Sequence, residues 1–477
     1  FALMEKYDSI IIGSGINGIS AAIYLQQKGL NTVIYEGSST AGGSTKTEAL
    51  TLPGFKHDTG SAIHPMAYAS PFFKTLPLEK FGLEWVFPEI PYAHPFLDGS
   101  ALAAYADVEE TASQLETDKD SYLTLFSKIT SNWEAISSDL LGPLTIPSHP
   151  FDFVRFGLKA IQSAEQLGEH YFENEKTRAF FYGAAAHSTL PMDVWASSSF
   201  GLVLSVMAHK YNWPFPKGGA SSLVDALISY YESIGGKLIL NHKVTDIQLL
   251  PQSHSFVFDL TPKQLLEIKN TALSSTYRNR LSNYNYGPGI FKVDWALDEP
   301  IPFTNKKCRK AGTIHIGYTP EEIKDSEALT HKGEISQTPY ILIAQHTVFD
   351  KTRAPENKHT AWAYCHVPNG DTTDMTSVIE DQIEKAAPGF KKIILARSTK
   401  NTKQLERFNP NIIGGDINGG KQDITQLFTR PVVKISPYKT SNDQVYMCSS
   451  STPPGGGVHG MCGFNAAKKV YNDHFKN

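Results

Sequence analysis

The sequence predicts an α/β fold whose central parallel sheet is assembled from distant parts of the chain, and three observations carry that expectation. Tyr7 to Ile12 (YDSIII) is an apolar run of strand length that breaks at Gly13 into a segment with Ile16, Ile19 and Ile23 at helical spacing, and a second run, Thr32 to Tyr35, follows Gly29. Strand, helix and strand within about 30 residues is the size of a right-handed βαβ unit. A second helix-to-strand step lies far from the first, where Leu223, Leu227, Tyr230 and Ile234 share a helix face and Gly235 and Gly236 lead into Lys237 to Leu240. The third observation is a strand-like Val445 to Cys448, then a glycine run, then a terminal helical pattern from Phe464.

Between these segments the pattern changes. Tyr68 to Tyr211 reads as mostly helical, punctuated by Pro and Gly, with amphipathic stretches at Tyr122 to Ile136 and Phe153 to Leu167. From about Thr261 to Lys403, strand-like runs (Ile290 to Trp295, Ile314 to Gly317, Tyr340 to Ala344, Thr360 to Cys365) mix with a helical Met375 to Ala386, the pattern of an α+β domain. The layout expected is one discontinuous nucleotide-binding domain over residues 1–67, 212–260 and 411–477, a helical cap over 68–211 and an α+β substrate domain over 261–410.

Composition narrows the function. The chain of 477 residues carries 44 Lys and Arg against 48 Asp and Glu, a net charge of −4, with no basic tract, which excludes a nucleic-acid partner. Its most apolar stretch, Phe200 to Ala208, is about half of the ~18 residues a membrane span needs, and neither a charged-then-apolar leader nor an Asn-x-Ser/Thr acceptor occurs. A cytoplasmic protein is expected, at most in peripheral contact with a membrane surface. Cys308, Cys365, Cys448 and Cys462 form no Cys-x-x-Cys pair, so neither a disulfide scaffold nor a metal site is expected. The absence of a Gly-x-Ser-x-Gly elbow, a His-Glu-x-x-His helix and a Walker lysine loop argues against hydrolase, metalloprotease and kinase chemistry.

Gly13-Ser14-Gly15-Ile16-Asn17-Gly18 is a Gly-x-Gly-x-x-Gly turn between a strand and a helix. Gly13 permits the tight turn, Gly15 lets backbone approach a pyrophosphate and Gly18 allows close helix–strand packing, so the helix N-terminus faces the anion. Glu36, at the end of the second strand, is the acid expected to hold a ribose hydroxyl. The unit therefore reads as a Rossmann-like dinucleotide site, with FAD and NAD both compatible. Near the C-terminus, Gly455, Gly456, Gly457, Gly460 and Gly463 precede a helix start, where free amides and a positive dipole end would stabilise negative charge on a reduced cofactor ring.

The stretch from Glu36 through Gly42-Gly43-Ser44-Thr45 to His57–Pro65 (HDTGSAIHP) is similar to the flavin amine oxidase and phytoene desaturase superfamily. The segment Tyr446 to Gly463 (YMCSSSTPPGGGVHGMCG) resembles the C-terminal flavin motif of phytoene desaturases, and with the loop Lys217 to Ser222 and the strand leading to Val244 the likeness runs through almost the whole chain. The resemblance implies an FAD-binding domain of the glutathione reductase type with the α+β substrate domain and helical cap inserted. It places FAD against Gly13, Gly15, Ile16, Asn17, Gly18, Glu36, Gly42, Gly43, Ser44, Thr45, Val244, Ser451, Gly457, Val458 and His459. Ser38 and Ser44 stand where such relatives often carry arginines, so hydroxyls and amides are expected to hold the phosphates.

His459 and His64 are candidate catalytic groups because histidine changes charge near neutral pH, and Asp416, in the loop Asn409 to Asp416, is the third. Phe200 onward, with Trp213, Phe215, Trp295, Trp362 and Tyr364, is expected to line a tunnel for a greasy substrate. The reaction implied is removal of hydride from a C–H bond of a hydrophobic, isoprenoid- or carotenoid-like molecule, with dioxygen or a quinone as electron acceptor. Alternatives are an amine oxidase on the same scaffold and a non-catalytic binder like the Rab GDP-dissociation inhibitors, which hold lipid-modified partners.

Overall fold

The computed structural model describes residues 6–143 and 146–476. Its first sheet has five parallel strands in the order Val445–Met447, Ser253–Phe258, Tyr7–Ile12, Thr32–Tyr35, Lys237–Ile239. Both faces are covered at the inner strands Tyr7–Ile12 and Thr32–Tyr35, which is why Ile10 to Ile12 and Val33 to Tyr35 read as apolar runs. Period-two alternation sends Ile11, Ile34 and Val257 into a layer with the helices Ile16–Gln27, Ser221–Ser233 and Met461–His474, and Ile10, Ile12, Val33, Phe256 and Phe258 into the layer opposite. Segments from the start, middle and end of the chain thus share one sheet. Ser253–Phe258, near its centre, is a strand the sequence pattern hides, because the polar Ser253, His254 and Ser255 break the apolar signal.

The second sheet has seven strands in the order Ile394–Lys400, Gly289–Leu297, His359–Val367, Ile341–Ala344, Ala311–Ile316, Ile90–Pro95, Ala101–Ala104; only the pair joining Ala311–Ile316 to Ile90–Pro95 is parallel. Here the structure differs from the expected layout. The hairpin Ile90–Ala104 lies in the segment read as a helical cap, yet it completes the seven-stranded sheet, because its small buried residues Ala93, Ala101, Ala103 and Ala104 let the strands pack on both faces. One face of the sheet buries Phe291, Val293, Trp295, Ile314, Ile343 and Ala363 in a dry core. The other presents Ile290, Lys292, Leu342, Trp362, Tyr364 and Thr313 to a cavity.

The amphipathic stretches of the cap are each two helices. Tyr122 to Ile136 divides into Lys119–Ser131 and Trp133–Leu140, and Phe153 to Leu167 into Pro150–Ala160 and Ala164–Tyr171, the latter capped by the Ser163 hydroxyl on the Gln166 amide. Pro150–Ala160 buries only Phe156 and turns Phe151, Val154 and Leu158 outward, at 89%, 55% and 64% exposure. Among the described residues no helix is long and apolar enough to cross a membrane.

Candidate active site

One cavity of about 770 Å³ runs from the first glycine turn, between the two sheets, to the face of the seven-stranded sheet. That is toward the upper end of the roughly 300–1,000 Å³ usual for ligand sites. Its wall takes Gly13, Gly15, Ile16, Asn17, Glu36, Gly42, Gly43, Ser44, Thr45, Val244, Gly457 and Val458 from three separate stretches of chain, with His64.

The turn is built by close contact. A Cβ on Gly18 would stand 2.1 Å from the Gly13 carbonyl oxygen, so only glycine fits there, and one on Gly15 would stand 2.4 Å from a carboxylate oxygen of Asp259 and would have to displace that side chain. Gly18 does its work behind the cavity wall, by letting the helix close on the strand, and its amide donates to Asp259 at 3.0 Å. Glu36 accepts from the Ser14 amide at 2.9 Å, the Ser14 hydroxyl at 2.6 Å and the Ser38 amide at 2.8 Å. Burial pushes its carboxyl up, but these hydrogen bonds outweigh burial and hold it below the usual range.

Asp259 is a site residue that sequence reasoning missed, because it follows the hidden strand Ser253–Phe258. It lies in the cavity wall beneath the glycine turn. Burial, with the Glu36 charge adding to it, raises its carboxyl to about 7 against the opposing pull of the Gly18 and Gly15 amides. Cations were missed as well. Lys46, Lys243 and Arg407 line the wall, so positive charge does reach this end of the cavity, from positions other than Ser38 and Ser44. The Ser44 hydroxyl instead accepts from the Asn409 amide at 2.8 Å.

Three sequence candidates are placed elsewhere. The His459 ring is buried outside the cavity wall, and its Nδ1 accepts from the Met461 amide at 3.0 Å, capping the last helix. Burial lowers its ring to about 4, so it stays neutral. Asp416 is buried as a loop clasp, accepting from the Gly287 and Asn418 amides, each at 2.7 Å, and it too lies outside the wall. Ser451 donates its hydroxyl to the Gly419 carbonyl at 2.6 Å, and Ser449 and Ser450 take its expected place at the cavity. His64 does line the wall: its Nε2 pairs with Ser61 at 3.0 Å, its Nδ1 has no partner among the described residues, and burial lowers its ring to about 4.

Of the aromatic set, Trp213, Trp362 and Tyr364 line the cavity with Phe200, Val203 and Leu204. Trp295 points to the dry core, where its indole N–H donates to Glu380 at 2.9 Å, and Phe215 packs under the Arg353 guanidinium at 5.6 Å. The sheet floor also holds a buried charge pair that the sequence reading passed over: Lys292 donates to Asp294, both side chains fully enclosed, with the ammonium 5.6 Å from the Trp362 ring. Burial pushes Asp294 up to about 6 and Lys292 down, and each keeps the other charged. Lys292 and Asp294 were legible only as alternate residues of a strand whose other side, Val293 and Trp295, is core.

Beside the cavity, three chain segments are stapled by one buried guanidinium. Arg353 donates to Asp58 at 2.9 Å, to Asp350 at 3.0 Å and to the Pro216 carbonyl at 3.0 Å; Asp58 also accepts from the Ala220 amide at 2.8 Å, and Asp350 from the Gly218 amide at 2.7 Å. Burial would raise Asp58, but Arg353 first, then His346 and the Ala220 amide, hold it well below the usual carboxylate range.

Residues 16–261 match the model of the flavin containing amine oxidoreductase family. The chain belongs to that family. It is similar to the rat pyridine nucleotide-disulfide oxidoreductase domain-containing protein 2, with 26% identity over 99% of this chain and 94% of that protein. It is also similar to the lycopene-forming phytoene desaturase of Pseudescherichia vulneris, with 24% identity over 50% of each. An oxidoreductase from Methanosarcina mazei shares the fold at a TM-score of 0.65 and 15% identity, over 98% of this chain and 100% of that one. The likeness to phytoene desaturases and flavin amine oxidases read from the motifs therefore holds, and FAD is the family member's cofactor.

The residues present fit that cofactor. Backbone at Gly13, Gly15, Gly42 and Gly43 lines the cavity, Gly42 and Gly43 at φ +115° and +58°, and the amides of Ile16 and Asn17 at the start of the helix Ile16–Gln27 have no side-chain acceptor among the described residues, the Gly18 amide being taken by Asp259. An anionic group can approach there, with Lys46, Lys243 and Arg407 to balance its charge.

Proposed function

We propose that this flavin oxidoreductase is a dehydrogenase of apolar small molecules, and the continuity of one cavity from Glu36 to the apolar wall of Phe200, Val203, Leu204, Ile290 and Leu342 carries the reading. FAD, when bound, supplies hydride acceptance from a substrate C–H bond. In this reading the Gly13–Gly18 turn and Gly42 to Thr45 hold its phosphates, Lys46 and Arg407 offset their charge, and Glu36 takes the ribose. Val244 would hold the adenine, and Gly457 and Val458 the flavin ring. The apolar wall orients the substrate and excludes water from the reacting bond. Lys292, clamped by Asp294, keeps a fixed positive charge in the floor, and His64 offers an Nδ1 that has no partner among the described residues. Dioxygen or a quinone is the expected electron acceptor.

Amine oxidation is the second reading, favoured by the family itself. Anaerobic mixing with isoprenoid hydrocarbons, isoprenoid alcohols and alkylamines separates the two: the flavin is expected to bleach with a compound of the first two classes. Bleaching by alkylamines alone would replace the dehydrogenase reading with amine oxidation.

A further inference from the structure

The substrate half of the cavity contains a recognition group that the proposed reaction does not use. His187, in the short turn Ala186–Ser188 after the helix Glu175–Ala185, forms part of the wall. Its Nε2 lies 2.9 Å from Nε2 of His315. His315 stands on the seven-stranded sheet opposite Leu342, in the cross-strand row that continues through Tyr364 to Lys292. The rings of Trp213 and Tyr340 pack around the pair. Burial lowers His187 to about 3 and His315 well below its ordinary value, so both rings are neutral, and one facing nitrogen donates while the other accepts.

His94 decides which. Its Nε2 is 2.7 Å from the Gly317 carbonyl, which only accepts, so Nε2 carries the proton; burial keeps the ring neutral, and Nδ1 is a lone pair. The Nδ1 atoms of His94 and His315 both face the bare position over Gly183, 2.9 and 3.1 Å from where a Cβ would stand, and neither makes a hydrogen bond, to the other or to any other described residue. Two lone pairs there would repel, whereas an N–H on His315 Nδ1 is attracted. His315 Nε2 then accepts from His187 Nε2–H, which leaves His187 Nδ1 as a lone pair. That atom has no hydrogen-bond partner among the described residues and, unlike Nδ1 of His94 and His315, does not count among the buried unpaired atoms; His187 is partly exposed and forms part of the cavity wall. Among the described residues no three His, Cys, Asp or Glu side chains are placed to hold a metal ion, so the cluster reads as hydrogen-bonding machinery.

We propose that Nδ1 of His187 is the acceptor that selects a substrate carrying an O–H or N–H donor on its apolar body over a bare hydrocarbon. The inference deepens the proposed function, since it takes the cavity as the substrate site. A hydrocarbon would leave the lone pair unpaired in an apolar wall, whereas a hydroxyl or amine group satisfies it.

Binding tests this without turnover, because Trp213 and Trp362 in the wall report occupancy by fluorescence. Geraniol and geranyl methyl ether share a chain and an oxygen and differ in the donor. On the FAD-loaded chain geraniol is expected to bind about ten-fold more tightly than the ether, with geranylamine alongside geraniol, and His187→Leu is expected to bring alcohol and ether within about two-fold at unchanged FAD content. Equal binding of alcohol and ether to the wild type, a preference that survives in His187→Leu, or failure of either probe to bind would overturn it. Should His187→Leu fold poorly, wild-type protein labelled with nitrogen-15 histidine gives the answer: geraniol, and not the ether, moves one unprotonated ring-nitrogen resonance, and no movement overturns the proposal. A chain that takes up no FAD would defeat the flavoenzyme reading while leaving the alcohol preference measurable on the same protein.

Discussion

Arg353→Leu is expected to destabilise the folded chain by about 3–5 kcal/mol at neutral pH, the usual cost of removing one partner from a buried ion pair. The guanidinium is wholly buried and satisfies Asp58, Asp350 and the Pro216 carbonyl at once, so the variant strands two carboxylates in a site built for a cation. The three segments it joins are the loop after the second glycine pair, the turn before Ser221–Ser233 and the stretch after Ile341–Ala344, which bring the two sheets together. The pH dependence has a definite sign. Arg353 holds Asp58 below its unfolded value of about 4, so the pair's stabilisation is present above that pH and is lost as pH falls toward the depressed folded value. The gap in thermal midpoint between wild type and variant is therefore expected to be widest near neutrality and to narrow in acid; a constant gap, or none, would show that Arg353 does not carry this junction.

Asp259→Asn is expected to flatten the pH dependence of FAD binding. With a folded carboxyl at about 7 and an unfolded one near 4, the unliganded wild type loses stability as pH rises between those values, by about 4 kcal/mol at most, and the amide removes that loss while keeping an acceptor for the Gly18 amide. Above pH 7 the carboxylate is ionised beneath the turn proposed to hold the phosphates. FAD then has to bind against a like charge, or together with a proton. Wild-type affinity is expected to weaken by about ten-fold per pH unit above 7, until the bound-state carboxyl itself ionises, and Asp259→Asn is expected to show little change. Fluorescence titration from pH 6 to about 8.5 reads both; a flat wild-type profile would mean that the phosphates do not lie over Asp259.

Most of the glycine-turn end of the cavity was legible because its constraints are local. Gly13, Gly15 and Gly18 are dictated by contacts within a few ångströms in a short βαβ unit, and strands Tyr7–Ile12 and Thr32–Tyr35 fall where the apolar runs lie. What escaped was set by tertiary contact. Asp259 acquires its role from burial under a turn some 240 residues away, Arg407 enters the wall from the end of the helix Thr402–Phe408 and Lys46 from a loop, and Lys292 is a surface-type residue turned inward by strand register. His459 was misplaced for the opposite reason: its motif does lie at the end of the site, but the αL backbone of Gly460, at φ +69°, turns the ring back onto the Met461 amide. The apolar face of Pro150–Ala160 points outward, which its periodicity alone cannot reveal.

The central claim is that three separated chain segments close on a single FAD. The most direct test is to titrate FAD into the purified chain, then denature it in acid and measure the flavin released. One FAD per chain, bound with the visible flavin spectrum, is the expected result. A colourless protein that takes up no FAD, although folded, would contradict the account and leave the cavity to a binding protein.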